Sequence, residues 1–266
     1  MRWLDLEDDF LSFEKPRIVC FICNWVPNGE KLVASRTRKV ADVNVVEVAC
    51  IGGLDPVVVL ELLTKGIDGV LLFGCNPPDC HFIEGSSYAE FTVNVLKKLL
   101  VLAGLEPERL ESHWISPIEE VNFTRIIEGF ATQLEELGSS PLRGEKPDAN
   151  ILENVLAARN AVADFRLRAF IGKEMELARS ANVYGERFSR EEFNVLLDEV
   201  VRAEFIRQKI LLLAKKKPFS VKELAQALNM KPAIVLRHVL NMRRRGMIAL
   251  DSTEGTTPLY KALEVQ

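Results

Sequence analysis

Five cysteines stand in the 266 residues, at positions 20, 23, 50, 75 and 80, an odd and ordinary count that does not read as a disulfide framework. Cys23, Cys50 and Cys75 each close a short β-branched and aromatic run: RIVCFICN (17–24), VNVVEVAC (43–50) and DGVLLFGC (68–75). Cys80 follows in the loop GCNPPDCH (74–81). Thiols from three strand ends can converge on one side of a sheet, and four of them could hold an iron-sulfur cluster or a structural zinc, both of which favour tetrathiolate surroundings. The competing reading is a set of buried apolar thiols, because Cys is among the most buried residue types. Pro77 and Pro78 fix φ in the loop and Gly74 permits close approach, which suits a set thiolate geometry. Cys20 lies three residues before Cys23 inside an apolar run, a spacing that turns it to the opposite face. His81 beside Cys80 makes a poor general base, since adjacent loop residues point apart and no third group orients the imidazole.

The elements that must position these thiols alternate. The three runs above and RLESHWIS (109–116) predict four strands, separated by helical patterns over 31–40, 55–65, 88–103 and 117–137. Strands joined by helices of this length are parallel with right-handed crossovers, so the expected fold is a doubly wound, flavodoxin-like α/β domain with its ligands at the carboxyl edge.

Taken in order, FICNWVPN, VEVACIGGLDP, DGVLLFGCNPPDCHFIEG and the GLEPERL…WISPIE tail, over roughly 17–135, resemble the delta subunit of methyl-viologen-reducing hydrogenase. In that iron-sulfur family the corresponding stretches look like FxCNWC, a CSGRVDP turn and GCxxGDCHYxxGN. Cys23, Cys50, Cys75 and Cys80 fall on family cysteines and Cys20 does not. Val26 stands where the family has a further cysteine, and Ser86 replaces the Asn of the GN pair. Gly52 and Asp55 keep the turn that aims Cys50, with Asp55 placed to cap the next helix. The resemblance implies a 2Fe-2S cluster on the four cysteines and a non-catalytic electron-transfer role. It also implies a complex, joining a hydrogenase or formate dehydrogenase type donor to the flavin-containing subunit of heterodisulfide reductase. Trp3, Trp25 and Trp114 are candidates for docking surface or for core.

Charge divides the chain. From Arg202 onward there are 13 basic and 5 acidic residues, about +8, while the remainder carries about −12 within a net charge of −4. GSSPLRGEKPDAN (138–150) has the composition of a linker after an α/β domain at 1–137, and helical spacing follows over 151–181 and 189–215. Residues 216–266 then give a helix opened by the Ser220/Glu223 capping-box spacing, a helix between Pro232 and Gly246, and two strands around a Thr/Gly turn. That order resembles a winged helix-turn-helix domain. Lys231, Arg237, His238, Arg243, Arg244 and Arg245 would supply DNA contacts, which makes an iron-sulfur redox-sensing regulator the alternative function. The apolar start of that helix, PAIVLRHVL, favours protein docking or self-association instead. A zinc-stabilised scaffold is a third reading. No apolar stretch approaches the ~20 residues of a membrane span, and the opening MRWLDLEDDF is acidic where a signal peptide is basic, so a cytoplasmic protein is expected.

Overall fold

A computed structural model of the chain describes residues 15–26, 40–116, 123–181, 185, 187 and 189–263. Four parallel strands, β1 (Arg17–Cys23), β2 (Asp42–Val48), β3 (Gly69–Cys75) and β4 (Leu110–Ile115), lie in the order β2-β1-β3-β4. β3 is buried throughout and β1 everywhere beyond Arg17, which is why both read as unbroken apolar runs; edge strand β2 keeps exposed residues. Cys23 pairs with Val48 and Cys75 with Ile115, so two thiols sit at the last register positions of adjacent strands. Chain direction diverges between β1 and β3, β1 leading outward to β2 and β3 to β4, and a crevice opens at the carboxyl ends of strands at such a point.

Helices α1 (Pro56–Thr64), α2 (Gly85–Ala103) and α3 (Phe123–Leu137) follow β2, β3 and β4. Asp55 caps α1 by accepting the Val57 N–H at 3.0 Å, as its place in the sequence predicts. Residues 31–39 of the helix expected over 31–40 and the first residues of the one expected from 117 lie outside the described residues, as does Trp3. α2 starts three residues before the predicted Tyr88, and that extra turn brings Gly85 and Ser86 onto the thiols.

At the opposite, amino edge, buried Asp68 accepts the N–H of Arg17 (2.8 Å) and of Ser140 (2.7 Å) and pairs with the Arg143 guanidinium (2.7 Å). Buried Arg109 donates to the carbonyls of Asp68 (3.1 Å) and Gly138 (3.0 Å). The Gly- and Pro-rich segment after α3 is thus fastened along the sheet, with Leu142 buried beneath it.

The continuous helix expected over 151–181 is instead two, α4 (Ala149–Ala163) and α5 (Phe165–Arg179). Asp164 between them turns extended, at φ −66° and ψ 136°, and its carboxylate accepts the Arg166 N–H at 2.9 Å. A short acidic side chain that can bond the next turn's donors ends one helix and opens another. α6 (Arg190–Lys216) begins in a Ser189/Glu192 capping box and runs about 40 Å at 1.5 Å per residue. Its first half packs Phe193, Leu197, Val201 and Phe205 into the main core, and its second half packs Ile210 and Ala214 into a separate one.

That second core is completed by α7 (Val221–Ala227), α8 (Pro232–Arg244) and the antiparallel pair β5 (Ile248–Glu254) and β6 (Thr257–Ala262). The Ser220/Glu223 capping box is formed, and Val235, Val239 and Met242 turn inward from α8. Buried Glu204 on α6 contacts three guanidinium groups, those of Arg207, Arg245 (3.4 Å) and Arg166 (3.6 Å), and Arg245 also grips Asp164 at 2.9 Å. No helix among the described residues is long and apolar enough to cross a membrane.

Removing one member of a buried ionic group strands the others, at about 3–5 kcal/mol, whereas an exposed pair contributes under about 1 kcal/mol. Glu204→Ala should therefore lower the unfolding free energy several-fold more than Asp198→Ala, which breaks only the surface pair with Lys98. Urea denaturation at pH 7 reads the difference, and equal losses would show that Glu204 does not hold the two cores together.

Candidate functional site

The four cysteines singled out by spacing line one narrow recess, together with Ile51, Gly52, Gly74, Phe82, Ser86 and Trp114. Cys23 and Cys75 arrive from neighbouring strand ends, with their Sγ atoms 3.8 Å apart. Cys50 stands two residues beyond β2, at the start of a single 3₁₀ turn (Ile51–Gly53), and Cys80 closes a second such turn (Pro77–Asp79) set by the paired prolines. Cys20 is fully buried in β1, and burial pushes its thiol up to about 12, so it is inert.

Glycines decide how closely these loops approach. A Cβ on Gly52 would stand 2.3 Å from the Gly85 carbonyl oxygen, and one on Gly74 would stand 2.4 Å from the Trp114 ring. A Cβ on Gly85 would lie 2.6 Å from the Cys50 sulfur and 3.4 Å from that of Cys80. A methyl group at any of these points would fill space that the thiols and the facing backbone now share. Among the described residues no three His, Cys, Asp or Glu side chains are set to hold a single metal ion. Cys23 and Cys75 are in direct contact, and Cys50 and Cys80 both stand against Gly85.

Their electrostatic surroundings differ. Burial raises the Cys80 thiol, but the Ser86 hydroxyl and the backbone N–H groups of Ser86, Phe82 and Gly85 outweigh it, leaving Cys80 below the ordinary thiol range. The first turn of α2 supplies most of those donors, and its N-cap, Glu84, makes no side-chain cap bond, so the sulfur caps the helix. Cys50 is raised by burial and by the neighbouring charges of Cys23 and Cys80, against the N–H groups of Gly52 and Gly53. Cys75 is pushed well up by burial and by Cys23, with one opposing N–H from His81. Cys50 and Cys75 each feel the charges of Cys23 and Cys80, which ties the four sulfurs together electrostatically.

The His81 ring stacks on Trp25 at 3.3 Å and 10°. Trp25 is half exposed, while Trp114 lines the recess. Val26 is buried, with its N–H on the Cys23 carbonyl at 3.0 Å. Outside the recess a wider, more open groove is bordered by Cys50, Gly52, Gly53, Phe82, Ile83, Glu84, Gly85 and Tyr88. Ile83 is 82% exposed at φ +64°, a left-handed conformation that a β-branched residue adopts only under strain. Composition and spacing gave no hint of that strain, nor of the placing of Ser86 between Cys75 and Cys80.

Residues 18–138 match the family model described as methyl-viologen-reducing hydrogenase, delta subunit. The iron-sulfur subunit of the F420-non-reducing hydrogenase of Archaeoglobus profundus is 38% identical over 126 residues, 47% of this chain and 92% of that one. The chain belongs to this delta-subunit family. The vhc iron-sulfur subunit of the corresponding hydrogenase of Methanococcus voltae is 30% identical over 131 residues, 48% of this chain and 91% of its own. A stretch of 125 residues is also 38% identical to part of one chain of the ferredoxin/F(420)H(2)-dependent CoB-CoM heterodisulfide reductase of Methanosarcina acetivorans. There the match covers 46% of this chain but only 16% of the longer relative. The family match falls on the α/β part that carries the thiols; α4 onward lies beyond it.

Two measurements test this description. In protein freed of metal, alkylation at pH 7.5 should label Cys80 before Cys50 and Cys75, with Cys20 last. Peptide mass spectrometry gives the order, and a uniform rate would contradict the donor arrangement. Ile83→Asn should raise the unfolding free energy by about 1 kcal/mol, because Asn tolerates the left-handed region. A loss on denaturant titration would mean that the Ile83 side chain contributes contacts that outweigh the strain.

Proposed function

We propose that the chain is an electron-transfer subunit of an oxidoreductase complex, carrying a 2Fe-2S cluster on Cys23, Cys50, Cys75 and Cys80. The observation that carries this reading is the convergence of these four thiols on one recess walled by Ile51, Phe82 and Trp114. Each iron of such a cluster takes two protein thiolates, so four thiols supply its full ligand set, whereas a lone tetrahedral zinc asks for four converging on one point. The glycines that admit Cys50 and Cys80 provide a cradle that any side chain would fill. When bound, the cluster supplies one-electron chemistry. The chain's own residues hold it, exclude water with apolar walls, and aim N–H groups at three of the four sulfurs.

Electrons enter or leave where the recess meets the outer groove, at Cys50 and Phe82, both of which line the two spaces. Exposed Trp25, Phe82 and Ile83 beside that edge form the apolar part of the docking face. The partners in this reading are a hydrogenase or formate dehydrogenase type donor and a flavin-containing heterodisulfide reductase type subunit. Support comes from the relatives: the stretch that is a small separate protein in Archaeoglobus profundus has its counterpart inside a much longer heterodisulfide reductase chain in Methanosarcina acetivorans. A unit built into a chain in one organism is a natural docking partner of that chain in another.

In the same reading residues 1–137 form a flavodoxin-like unit, 138–150 a connection, 151–215 a helical region and 216–266 a winged helix. The winged helix serves protein docking in preference to DNA. Arg245 is held by Asp164 and Glu204, Arg243 lies over the Tyr260 ring at 5.9 Å and His238 is half-buried, while the β5–β6 hairpin exposes Asp251 and Glu254. These acidic groups would face phosphates.

Anaerobic purification followed by iron, sulfide and zinc analysis, with visible and electron paramagnetic resonance spectra, tests the function. Two irons and two sulfides per chain with a reducible signal are expected. Cys23→Ser should lose or bleach the centre and Cys20→Ser should leave it unchanged. Zinc in place of iron, or unaltered iron in Cys23→Ser, would sink the assignment.

A further inference from the structure

Ser86 is 4% exposed and stands in the first turn of α2, on the wall of the thiol recess. Its Oγ lies 2.5 Å from the Cys75 carbonyl, and Cys80 lines the same narrow recess, where the Ser86 hydroxyl is among the groups that hold that thiol low. A hydroxyl has one proton to donate. With two acceptors available, the proton goes to the more negative of them, and a hydroxyl rotor turns without moving its oxygen. The donors around the sulfurs are unequally shared. Cys80 faces three backbone N–H groups as well as the hydroxyl, Cys50 faces the N–H groups of Gly52 and Gly53, and Cys75 faces that of His81. Cys23 directs its own thiol to the Ala49 carbonyl at 3.5 Å.

The backbone donors are fixed by the first turn of α2 and by the 3₁₀ turns, whereas the hydroxyl of Ser86 is free to change partner. We propose that Ser86 is a positioning residue that sets the reduction potential of the thiolate centre, its hydroxyl proton swinging from the Cys75 carbonyl to the Cys80 sulfur as that sulfur gains charge. This rests on the cluster reading above. Reduction adds one electron from a one-electron donor, negative charge on the ligating sulfurs grows, and no proton leaves Ser86. A hydrogen bond that strengthens in the reduced state favours that state and raises the potential.

The test uses the full chain, loaded with iron and sulfide without oxygen, as wild type, Ser86→Ala and Ser86→Thr. Each is titrated with dithionite through redox mediators and followed by electron paramagnetic resonance. Ser86→Ala should bind the same iron and sulfide but be about tenfold harder to reduce, a fall of about 59 mV for a one-electron couple. Ser86→Thr, which keeps the hydroxyl, should recover most of that. An iron-loaded Ser86→Ala with the wild-type potential overturns the inference and leaves the cluster reading standing. A wild-type chain that takes up no iron overturns the cluster reading itself. Equal falls in the Ala and Thr variants also overturn the inference, since packing and not the hydroxyl would then set the potential. Should Ser86→Ala fail to load, wild type alone decides. Its reduced centre must show a strongly coupled proton that exchanges in D2O within minutes, at hydroxyl rather than buried-amide speed, and the lack of one overturns the inference.

Discussion

Gly52 and Gly85 bring two backbone segments together with no room for a Cβ between them, and the arrangement of the thiol recess depends on that approach. Gly52 belongs to the turn after β2 and Gly85 to the first turn of α2, so the contact ties the edge of the sheet to the helix that follows its central strand. Cys50 and Cys80 reach the Gly85 backbone for the same reason. Were either position to carry a side chain, α2 would have to retreat. The donors that its N-terminus offers to Cys80 would retreat with it. A single steric condition thereby fixes both where the sulfurs stand and what stabilises them.

Electrostatics makes the same condition necessary. Burial, and after it the repulsion between sulfur charges gathered in one recess, raises the thiols of Cys50 and Cys75. The fold answers with dipoles rather than with cations: the donors directed at the sulfurs are backbone N–H groups and one hydroxyl. Amide donors held by short turns and a helix end need no reorganisation when charge changes, which suits the electron-transfer role proposed above. Cys80, at the helix end, carries most of this support and lies below its ordinary range. The imbalance between Cys80 and the raised Cys50 and Cys75 is thus built by backbone geometry.

Much of this was legible in the sequence because strands buried on both faces leave an unmistakable trace. RIVCFIC and GVLLFGC are apolar throughout, and both occupy the middle of the parallel sheet. Strand ends then place Cys23 and Cys75 directly, and the Gly and Pro content of the next turns places Cys50 and Cys80. What the sequence did not disclose depends on one-turn differences. The start of α2 at Gly85 rather than Tyr88 is decided by tertiary contact with the turn after β2, and only that start turns Ser86 inward. Asp164 breaks the helical pattern between α4 and α5 through a side-chain bond that periodicity does not register. The Arg243 to Arg245 triplet reads as a uniform basic patch, but packing sends its members to different partners: Tyr260 for Arg243, and Asp164 with Glu204 for Arg245.

That last division bears on how the carboxy-terminal part relates to the thiol recess. α6 is one continuous helix whose first half belongs to the main core and whose second half belongs to the core of α7, α8 and the β5–β6 hairpin. Glu204 sits near the crossing between them, buried among guanidinium groups from α5, α6 and the end of α8. Hydrophobic contacts alone tolerate sliding. An ionic group that must be fully paired admits few orientations and therefore specifies one. The exposed Leu236 and Leu240 on α8 are for that reason held at a fixed orientation to the sheet. A partner that covered this face would meet the α/β unit in one orientation, and the groove beside Cys50 would be presented to it, or turned from it, as a consequence of the fold.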